Sequence, residues 1–258
     1  YYELSNLFEA HKHLWNTPPL FYLLTIEGVL ESLRSIHNYA GMGYFIQKLK
    51  EIGNSPLDFK THVLCTIYLY ELFPSLDCGD FAASAALMET YKDTLYARMS
   101  SLNPARQAEL CLYTSLIYFG TEQYNKAHRF LSQIIFRGKT YYYLPLYRTI
   151  RIVNLMILYH LSDHELISYE CRSLRRELSG VEEGYKIERF MFHFLQKLLP
   201  AQAGKRLQLW HKYEPEIEAI RKDIFEQQVL RIFDFTAWVE SLLTAQNIST
   251  LMAAKAKH

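Results

Sequence analysis

The chain has 258 residues, half of them hydrophobic, and 28 Lys and Arg against 27 Asp and Glu, for a formal net charge of +1. This length is sufficient for a substantial buried core, and the balanced charge gives no reason to expect a nucleic acid or an anionic membrane as a partner. No run of 18 uncharged apolar residues occurs, so we expect no membrane insertion. We place the chain in the cytoplasm; its start at Tyr1 rather than Met is compatible with a fragment of a longer protein.

Helical periodicity runs through most of the sequence. In residues 19–37, Leu23, Ile26, Leu30 and Leu33 recur at steps of three and four, which places them on one face of a helix. Only 10 Gly and 8 Pro are present, which favours long helices over the many turns of an all-β fold. The apolar stripes and the breaks between them predict five helical hairpins, approximately at 19–53, 57–99, 104–137, 145–178 and 185–222, and a C-terminal capping helix at 226–244.

The stretch LYTSLIYFGTEQYNKAHRFLSQII, residues 112–135, is the most informative of these hairpins. Ser115 and Ala127 are small enough to let two helices approach closely, and Tyr118 and Tyr124 are placed to pack around that contact. A small residue and a tyrosine late in the first helix, an aromatic at the turn and an alanine early in the second helix form the pattern of the tetratricopeptide (TPR) repeat. The stretch therefore resembles a TPR hairpin, and we interpret these four residues as packing residues.

The resemblance is that of a divergent member of the family. Cys111 stands where the TPR pattern has an early tryptophan or leucine, Glu122 stands at the position of the turn glycine, and Gly120 lies two residues earlier. The other hairpins match in length and periodicity, with starts roughly 40 residues apart. The resemblance implies an all-α protein of eleven to twelve helices, whose antiparallel hairpins stack as an α-solenoid in a single domain over 1–258, of a kind found in bacteria.

In a TPR array the first helix of each hairpin lines a concave groove. The resemblance therefore makes Arg148, Arg151 and Asn154, which advance by three along the first helix of the fourth hairpin, candidates for contacting a partner, and Tyr113 an aromatic candidate. The two arginines would bind a carboxylate or backbone carbonyls of the partner through forked hydrogen bonds. The alternative is that they pair with Asp or Glu of a neighbouring hairpin or face water, and that Tyr113 packs in the core.

Residue patterns of catalysis and cofactor binding are missing from the sequence. It contains no Gly-rich phosphate-binding motif, no G-x-S-x-G and no H-E-x-x-H, and no two of its four cysteines have the spacing of a zinc or redox motif. We therefore expect no cofactor, no metal site and no enzymatic activity. An all-α enzyme would have to use isolated residues such as His160, His193 and Asp234, although Asp234 is better suited to capping the last helix.

The sequence predicts a non-enzymatic helical-repeat scaffold that binds a protein or peptide partner in its concave groove, because stacked hairpins leave an extended surface of this kind. The alternative is a regulatory or sensory helical domain of a longer protein, which would couple the binding of a ligand or peptide to an output domain.

Overall fold

The computed structural model describes residues 2–13, 19–52, 56–178, 184–198 and 206–255. These residues form helices and turns without a β-strand, which confirms the all-α prediction. A 3-10 helix covers Tyr96–Ser101. The fifteen α-helices of the described residues are α1 (Tyr2–Ala10), α2 (Pro19–Ser35), α3 (Tyr39–Lys50), α4 (Leu57–Asp77), α5 (Phe81–Thr90), α6 (Pro104–Gly120), α7 (Tyr124–Ile135), α8 (Gly138–Tyr141), α9 (Leu146–His160), α10 (His164–Leu178), α11 (Lys186–Leu198), α12 (Arg206–Lys222), α13 (Gln227–Leu230), α14 (Phe235–Thr244) and α15 (Ile248–Lys255).

The fifteen helices exceed the predicted eleven to twelve because α1, α8 and α15 have no counterpart in the sequence interpretation and the capping helix is divided. Helices α2 and α3, α6 and α7, α9 and α10, and α11 and α12 fall within the first, third, fourth and fifth predicted hairpins. Residue 53 and residues 199–205, which these ranges include, lie outside the described residues. The stacking of the hairpins as a solenoid remains a prediction.

The first difference from expectation is at Pro74, since a proline usually ends a helix. Helix α4 continues through Pro74 to Asp77. Proline in a helix removes one backbone hydrogen bond and crowds the preceding turn, but Phe73 and Leu76 on either side are each 2% exposed. The burial of these two side chains offsets the lost hydrogen bond, so the helix extends beyond its proline.

The second difference is at the C-terminus, where one capping helix over 226–244 was expected. Helix α13 ends at Leu230, and α14 begins after Asp234, whose Oδ1 accepts a hydrogen bond from the Ala237 backbone N–H at 2.8 Å. Asp234 therefore caps α14, as its position suggested, but it does so in the middle of the predicted helix because its side chain competes for the backbone N–H groups.

The chain divides into two compact units, of which the first comprises Tyr1–Leu76 and Ala86–Leu110. In this unit α2 packs against α1 and α3. Four residues of α2, namely Tyr22, Ile26, Val29 and Leu30, are completely buried. Tyr22 and Ile26 are four residues apart, and Val29 and Leu30 follow Ile26 by three and four, so one face of α2 lies in the core of the unit.

The second unit comprises Asp77–Ala85 and Cys111–His258, and α9 is its central helix. Helix α9 packs against α7, α10 and α11, and its residues are buried in an unbroken run from Thr149 to Leu158. A helix that is buried on all sides must satisfy each of its polar groups with a neighbouring helix. The polar side chains of α9 are therefore those whose partners matter most.

The turn between α6 and α7 contains a residue in the left-handed conformation. Glu122, which occupies the glycine position, has φ +60°. The Gln123 backbone N–H donates to the Tyr118 carbonyl oxygen at 2.8 Å, which closes the turn around it. A glutamate tolerates this conformation at a cost of about 1–2 kcal/mol.

Gly120, the last residue of α6, is required by the close approach of an aromatic ring. A Cβ atom at Gly120 would lie 2.0 Å from Cγ of Phe81, which is itself 3% exposed. Both residues belong to the second unit. The absence of a side chain at Gly120 is therefore what lets Phe81 occupy its buried position.

We predict that Gly120→Ala lowers the free energy of unfolding by about 1–3 kcal/mol, because a rigid buried ring cannot move away from the added methyl group without strain. The measurement is urea unfolding followed by circular dichroism. Gly43→Ala in α3 is the matched control, since beyond its chain neighbours and the backbone of its own helix no atom of the described residues lies within 4 Å of the added Cβ; it should be neutral or stabilising by up to about 1 kcal/mol. Equal effects of the two substitutions would contradict this account of Gly120.

Candidate functional site

The first unit contains an open groove with acidic and apolar walls, which we call the acidic groove. Its volume is about 810 Å³, within the usual range for ligand-binding clefts. It is lined by residues of α1, α2, α4 and α6: Leu4, Phe8, Phe21, Leu24, Thr25, Glu27, Gly28, Glu31, Tyr70 and Glu109.

The rim of the acidic groove is formed by large apolar side chains that remain in contact with solvent. Leu4 of α1 is 43% exposed, and Phe21 and Leu24 of α2 are 60% and 49% exposed. Single exposed apolar residues are common on protein surfaces, but a contiguous set around a concavity is typical of an interaction site. The rim therefore presents apolar surface that an occupant of the groove would bury.

Helix α2 places the rim and the acidic residues on one face. Phe21, Leu24, Glu27 and Glu31 follow one another at steps of three and four residues, so their side chains share a side of the helix. The opposite side carries the buried residues of the first-unit core. Helix α2 therefore joins the core of the unit to the groove.

The carboxylates of the acidic groove are held by one arginine and one tyrosine. Arg106 of α6 forms an ion pair with Glu27, and its Nη1 donates to Glu109 Oε2 at 2.6 Å. The Tyr70 hydroxyl donates to Glu31 Oε2 at 3.3 Å. In contrast, Glu27 Oε2 is buried and receives no hydrogen bond within the described part of the chain.

The protonation states in the groove follow from burial and from these partners. Burial raises the pKa of the Glu109 carboxyl group, and the Arg106 guanidinium opposes that shift. Burial works to lower the pKa of Arg106, but Glu109 and Glu27 outweigh it and the pKa rises. Burial, followed by Glu31, raises the pKa of the Tyr70 hydroxyl. Arg106 therefore stays charged, and Tyr70 stays a hydrogen-bond donor.

The acidic groove was not identified from the sequence, where α2 reads as the first helix of a hairpin with an apolar stripe. Leu20, Phe21 and Leu24 lie outside the stripe of Leu23, Ile26, Leu30 and Leu33, so α2 is apolar on more faces than one core contact needs. This excess, with Glu27 and Glu31 on the same additional face, is the signal that could have located the groove.

The polar residues that the sequence proposed for contacting a partner lie in the second unit, and most of them are buried. Arg151 and Asn154 are 4% and 2% exposed, and Tyr113 is 3% exposed. The Arg151 guanidinium donates through Nε and Nη2 to Glu170 Oε2, at 3.1 and 2.9 Å. Side chains buried to this extent offer no surface to a partner in this structure.

Arg148 and Asn154 are also bound within the chain. Arg148, whose side chain is 35% exposed, donates to Glu188 Oε2 of α11 at 3.2 Å. Asn154 Oδ1 shares a hydrogen bond of 3.0 Å with His128 Nδ1 of α7. Arg148 is therefore paired with the neighbouring hairpin through α11, whereas Arg151 is paired within its own hairpin, with Glu170 of α10.

The residues interpreted as packing residues lie at the contact between α6 and α7. Ser115 and Ala127 are completely buried, and the Ser115 hydroxyl donates to the Ala127 carbonyl oxygen at 3.0 Å. Tyr118 packs on Phe130 and Tyr124 on Phe119, each pair with ring centroids 5.6 Å apart. The small residues permit the close approach of the helices, and the aromatic rings fill the space beside it.

His160 and Asp234, considered as catalytic candidates, have structural partners. Trp238 Nε1–H donates to His160 Nε2 at 3.1 Å, and Tyr124 stacks on the imidazole at 4.6 Å. Burial lowers the pKa of His160 to about 4. Asp234 caps α14, and its Oδ2 lies 3.2 Å from Lys255 Nζ. Among the described residues, neither group converges with a second titrating group on an open cavity.

His193, the third catalytic candidate, lies in a cavity of about 400 Å³ beside α11 in the second unit. The charged residues around this cavity are of both signs. Glu216 of α12 faces the same space, and Lys186 forms an ion pair with Asp223 at 2.6 Å. This cavity therefore has no clear ligand preference. Its remaining charged lining residues are Arg189 and Lys197.

Within the described residues, every helix is too short or too polar to cross a lipid bilayer. The same residues contain no group of three or more His, Cys, Asp or Glu side chains arranged to hold a metal ion.

We predict that Arg151→Met lowers the free energy of unfolding by about 3–5 kcal/mol, because Glu170 would be left as a buried charge without its partner. The double variant Arg151→Met, Glu170→Met should lose much less, since both charges are then removed. Urea denaturation of the three proteins provides the measurement. A single variant as stable as the wild type would show that the pair is not needed by the fold.

We predict that the protein loses stability on acidification between pH 6.5 and 4 through His160. The pKa of His160 is lowered from 6.5 to about 4 in the folded chain, so its contribution is complete above pH 6.5 and declines as the pH falls. Protonation of Nε2 would also remove the acceptor for Trp238. Between pH 6.5 and 5 the free energy of unfolding should fall by about 1–2 kcal/mol more in the wild type than in His160→Gln, which does not titrate. Parallel pH profiles of the two proteins would contradict this assignment.

No protein-family model matches the sequence, and comparisons with curated proteins and with solved structures find no similar protein. Helical folds of this type serve many functions, so the fold alone does not identify one. The function must therefore be argued from the side chains that the structure brings together. We argue it from the acidic groove, because this surface combines carboxylates with exposed apolar side chains.

Proposed function

We propose that this protein is a divergent TPR-like helical scaffold that binds a peptide segment of a partner protein in the acidic groove. The observation that supports this proposal is the apolar rim of Leu4, Phe21 and Leu24, which is exposed around a concave surface. The occupant would be a segment with spaced apolar side chains, which would bury this rim.

Physical chemistry favours an apolar occupant at the rim. Removing large apolar side chains from water contributes about 1.5–3 kcal/mol for each one that becomes fully buried. Phe21 and Leu24 are 60% and 49% exposed, so their burial against a partner would contribute part of the binding free energy, and further contacts in the groove must offset the ordering of the peptide. The rest of α2 is fixed by the core of the unit, so the rim residues are held in position before binding.

The local geometry of the α6–α7 hairpin supports the family assignment within this proposal. Ser115 and Ala127 permit the close helix contact, and Glu122 at the turn has the left-handed conformation. Repeats of this type are scaffolds whose surfaces, rather than catalytic groups, carry function.

A non-enzymatic role is supported by the chemistry of the groove. The carboxylates of Glu27 and Glu109, which could act as acid and base, are bridged by Arg106. An ion pair of this kind holds both carboxylates in place and leaves neither positioned as a proton donor to an occupant. The groove is therefore better suited to recognition than to proton transfer.

We predict that a peptide selected on the wild-type protein from a displayed random library binds Phe21→Ser, Leu24→Ser at least about tenfold more weakly, because two anchoring side chains are removed. Fluorescence anisotropy with the labelled peptide measures the affinity, and circular dichroism verifies that the variant folds. Ile36→Ser is the matched control, since Ile36 is 69% exposed in the same unit but does not line the groove.

Two results would contradict the proposed function. One is a library selection that yields no peptide with measurable affinity. The other is a set of peptides whose affinity is the same for the wild type and for Phe21→Ser, Leu24→Ser.

A further inference from the structure

We propose that the acidic groove selects partner segments that carry a lysine or arginine among their apolar residues, and that Glu27 and Glu31 bind this cation. The inference rests on the proposed function, because it names the chemistry of the peptide that occupies the same groove. It is argued from the charges of the lining, from one buried oxygen atom and from the position of the apolar rim.

The charged residues that line the groove are all acidic. Glu27, Glu31 and Glu109 contribute carboxylates, and the lining residues within the described part of the chain include no lysine or arginine. Arg106 contacts Glu27 and Glu109 from outside this set. Three carboxylates of the lining stand against two guanidinium groups, that of Arg106 and that of Arg34, whose charge also acts on Glu109, so the groove keeps an excess of negative charge. An acidic partner segment would be repelled, whereas a basic one would be attracted.

A single oxygen atom of Glu27 indicates where a donor is needed. Its Oε1 forms the ion pair with Arg106, while its Oε2 is buried and receives no hydrogen bond in the described residues. A buried carboxylate oxygen without a donor is unfavourable, so such atoms usually have a partner. Glu27 lines the groove and its side chain is 21% exposed, so a small rotation of this side chain would present the oxygen to a donor of the occupant.

The neighbouring hydroxyl groups do not satisfy this oxygen. The Thr25 hydroxyl donates to the Phe21 carbonyl oxygen at 2.8 Å. The Tyr70 hydroxyl is directed to Glu31 Oε2 and to the Glu27 carbonyl oxygen, at 3.3 and 3.4 Å. Both hydroxyl groups are thus engaged elsewhere.

The apolar rim explains why a long cationic side chain fits better than a small donor. Phe21 and Leu24 lie on the same face of α2 as Glu27 and are 60% and 49% exposed, so the stem of the incoming side chain would contact apolar surface. Lysine and arginine combine an apolar stem with a charged end, and their charge-assisted hydrogen bonds to carboxylates are stronger than neutral ones. The rim also lowers the local dielectric constant, which strengthens the attraction.

The test uses a peptide obtained by library selection on the wild-type protein and a copy in which its basic residue is replaced by norleucine, which keeps the stem and removes the charge. By fluorescence anisotropy at low ionic strength, we expect the lysine or arginine peptide to bind the wild type about tenfold more tightly than the norleucine peptide. This preference should decrease as salt is added.

Variants of the protein locate the contact. Glu27→Gln and Glu31→Gln should each reduce the preference for the basic peptide to about threefold or less. Glu31 is exposed, so Glu31→Gln keeps the test valid if Glu27→Gln impairs folding. Glu89→Gln is the matched control, since Glu89 is exposed in the same unit and is not part of the lining; it should leave the preference unchanged.

The outcomes separate this inference from the proposed function. If the wild type binds the two peptides with equal affinity, and the variant Phe21→Ser, Leu24→Ser loses this binding, the inference is overturned and the proposed function is supported. An equal loss of preference in Glu31→Gln and Glu89→Gln would also overturn it, because the attraction would then be long-range. Selected peptides that do not depend on the rim would overturn both.

Discussion

The roles of the charged residues in this structure follow from one requirement, which is that a buried charge must have a partner. In the second unit the buried Arg151 and Glu170 satisfy this requirement completely, because the Nε–H and Nη2–H groups of Arg151 donate to Glu170 Oε2. In the first unit Glu27 meets it only in part, because Arg106 binds one oxygen and the other receives no hydrogen bond in the described residues. This difference is the reason why we propose Glu27, and not Glu170, as a group that binds a partner.

The same distinction applies to the apolar residues. Helix α9 is buried from Thr149 to Leu158, and its polar side chains are bound by α7, α10 and α11, so it is a structural element of its unit. Helix α2 buries one face and leaves Phe21 and Leu24 exposed beside its glutamates. A helix that is fixed on one side and open on the other presents a rigid surface, which reduces the entropy that is lost when a peptide binds. This is the physical basis on which we propose a scaffold.

The sequence was sufficient to predict the all-α class and the position of most helices, because helical periodicity and the scarcity of Gly and Pro are local signals. It could not determine the role of Arg148 and Arg151, since arginines at a spacing of three look the same whether they face a partner or pair with Glu188 and Glu170. The continuation of α4 through Pro74 depends on the burial of Phe73 and Leu76, which is a tertiary effect. The acidic groove was missed because Arg106 and Glu109 lie about 80 residues from Glu27 in the chain, and only the folded unit brings them together.

The central claim is that the acidic groove is the surface on which a partner segment binds. Hydrogen–deuterium exchange of the protein with and without a saturating selected peptide tests this claim directly, because amide protection is measured along the whole chain. We expect the peptide to slow exchange in α1 and α2, which carry the rim, and to leave α9 and α10 unchanged. Protection confined to α9 and α10, with no change in α1 and α2, would contradict the account.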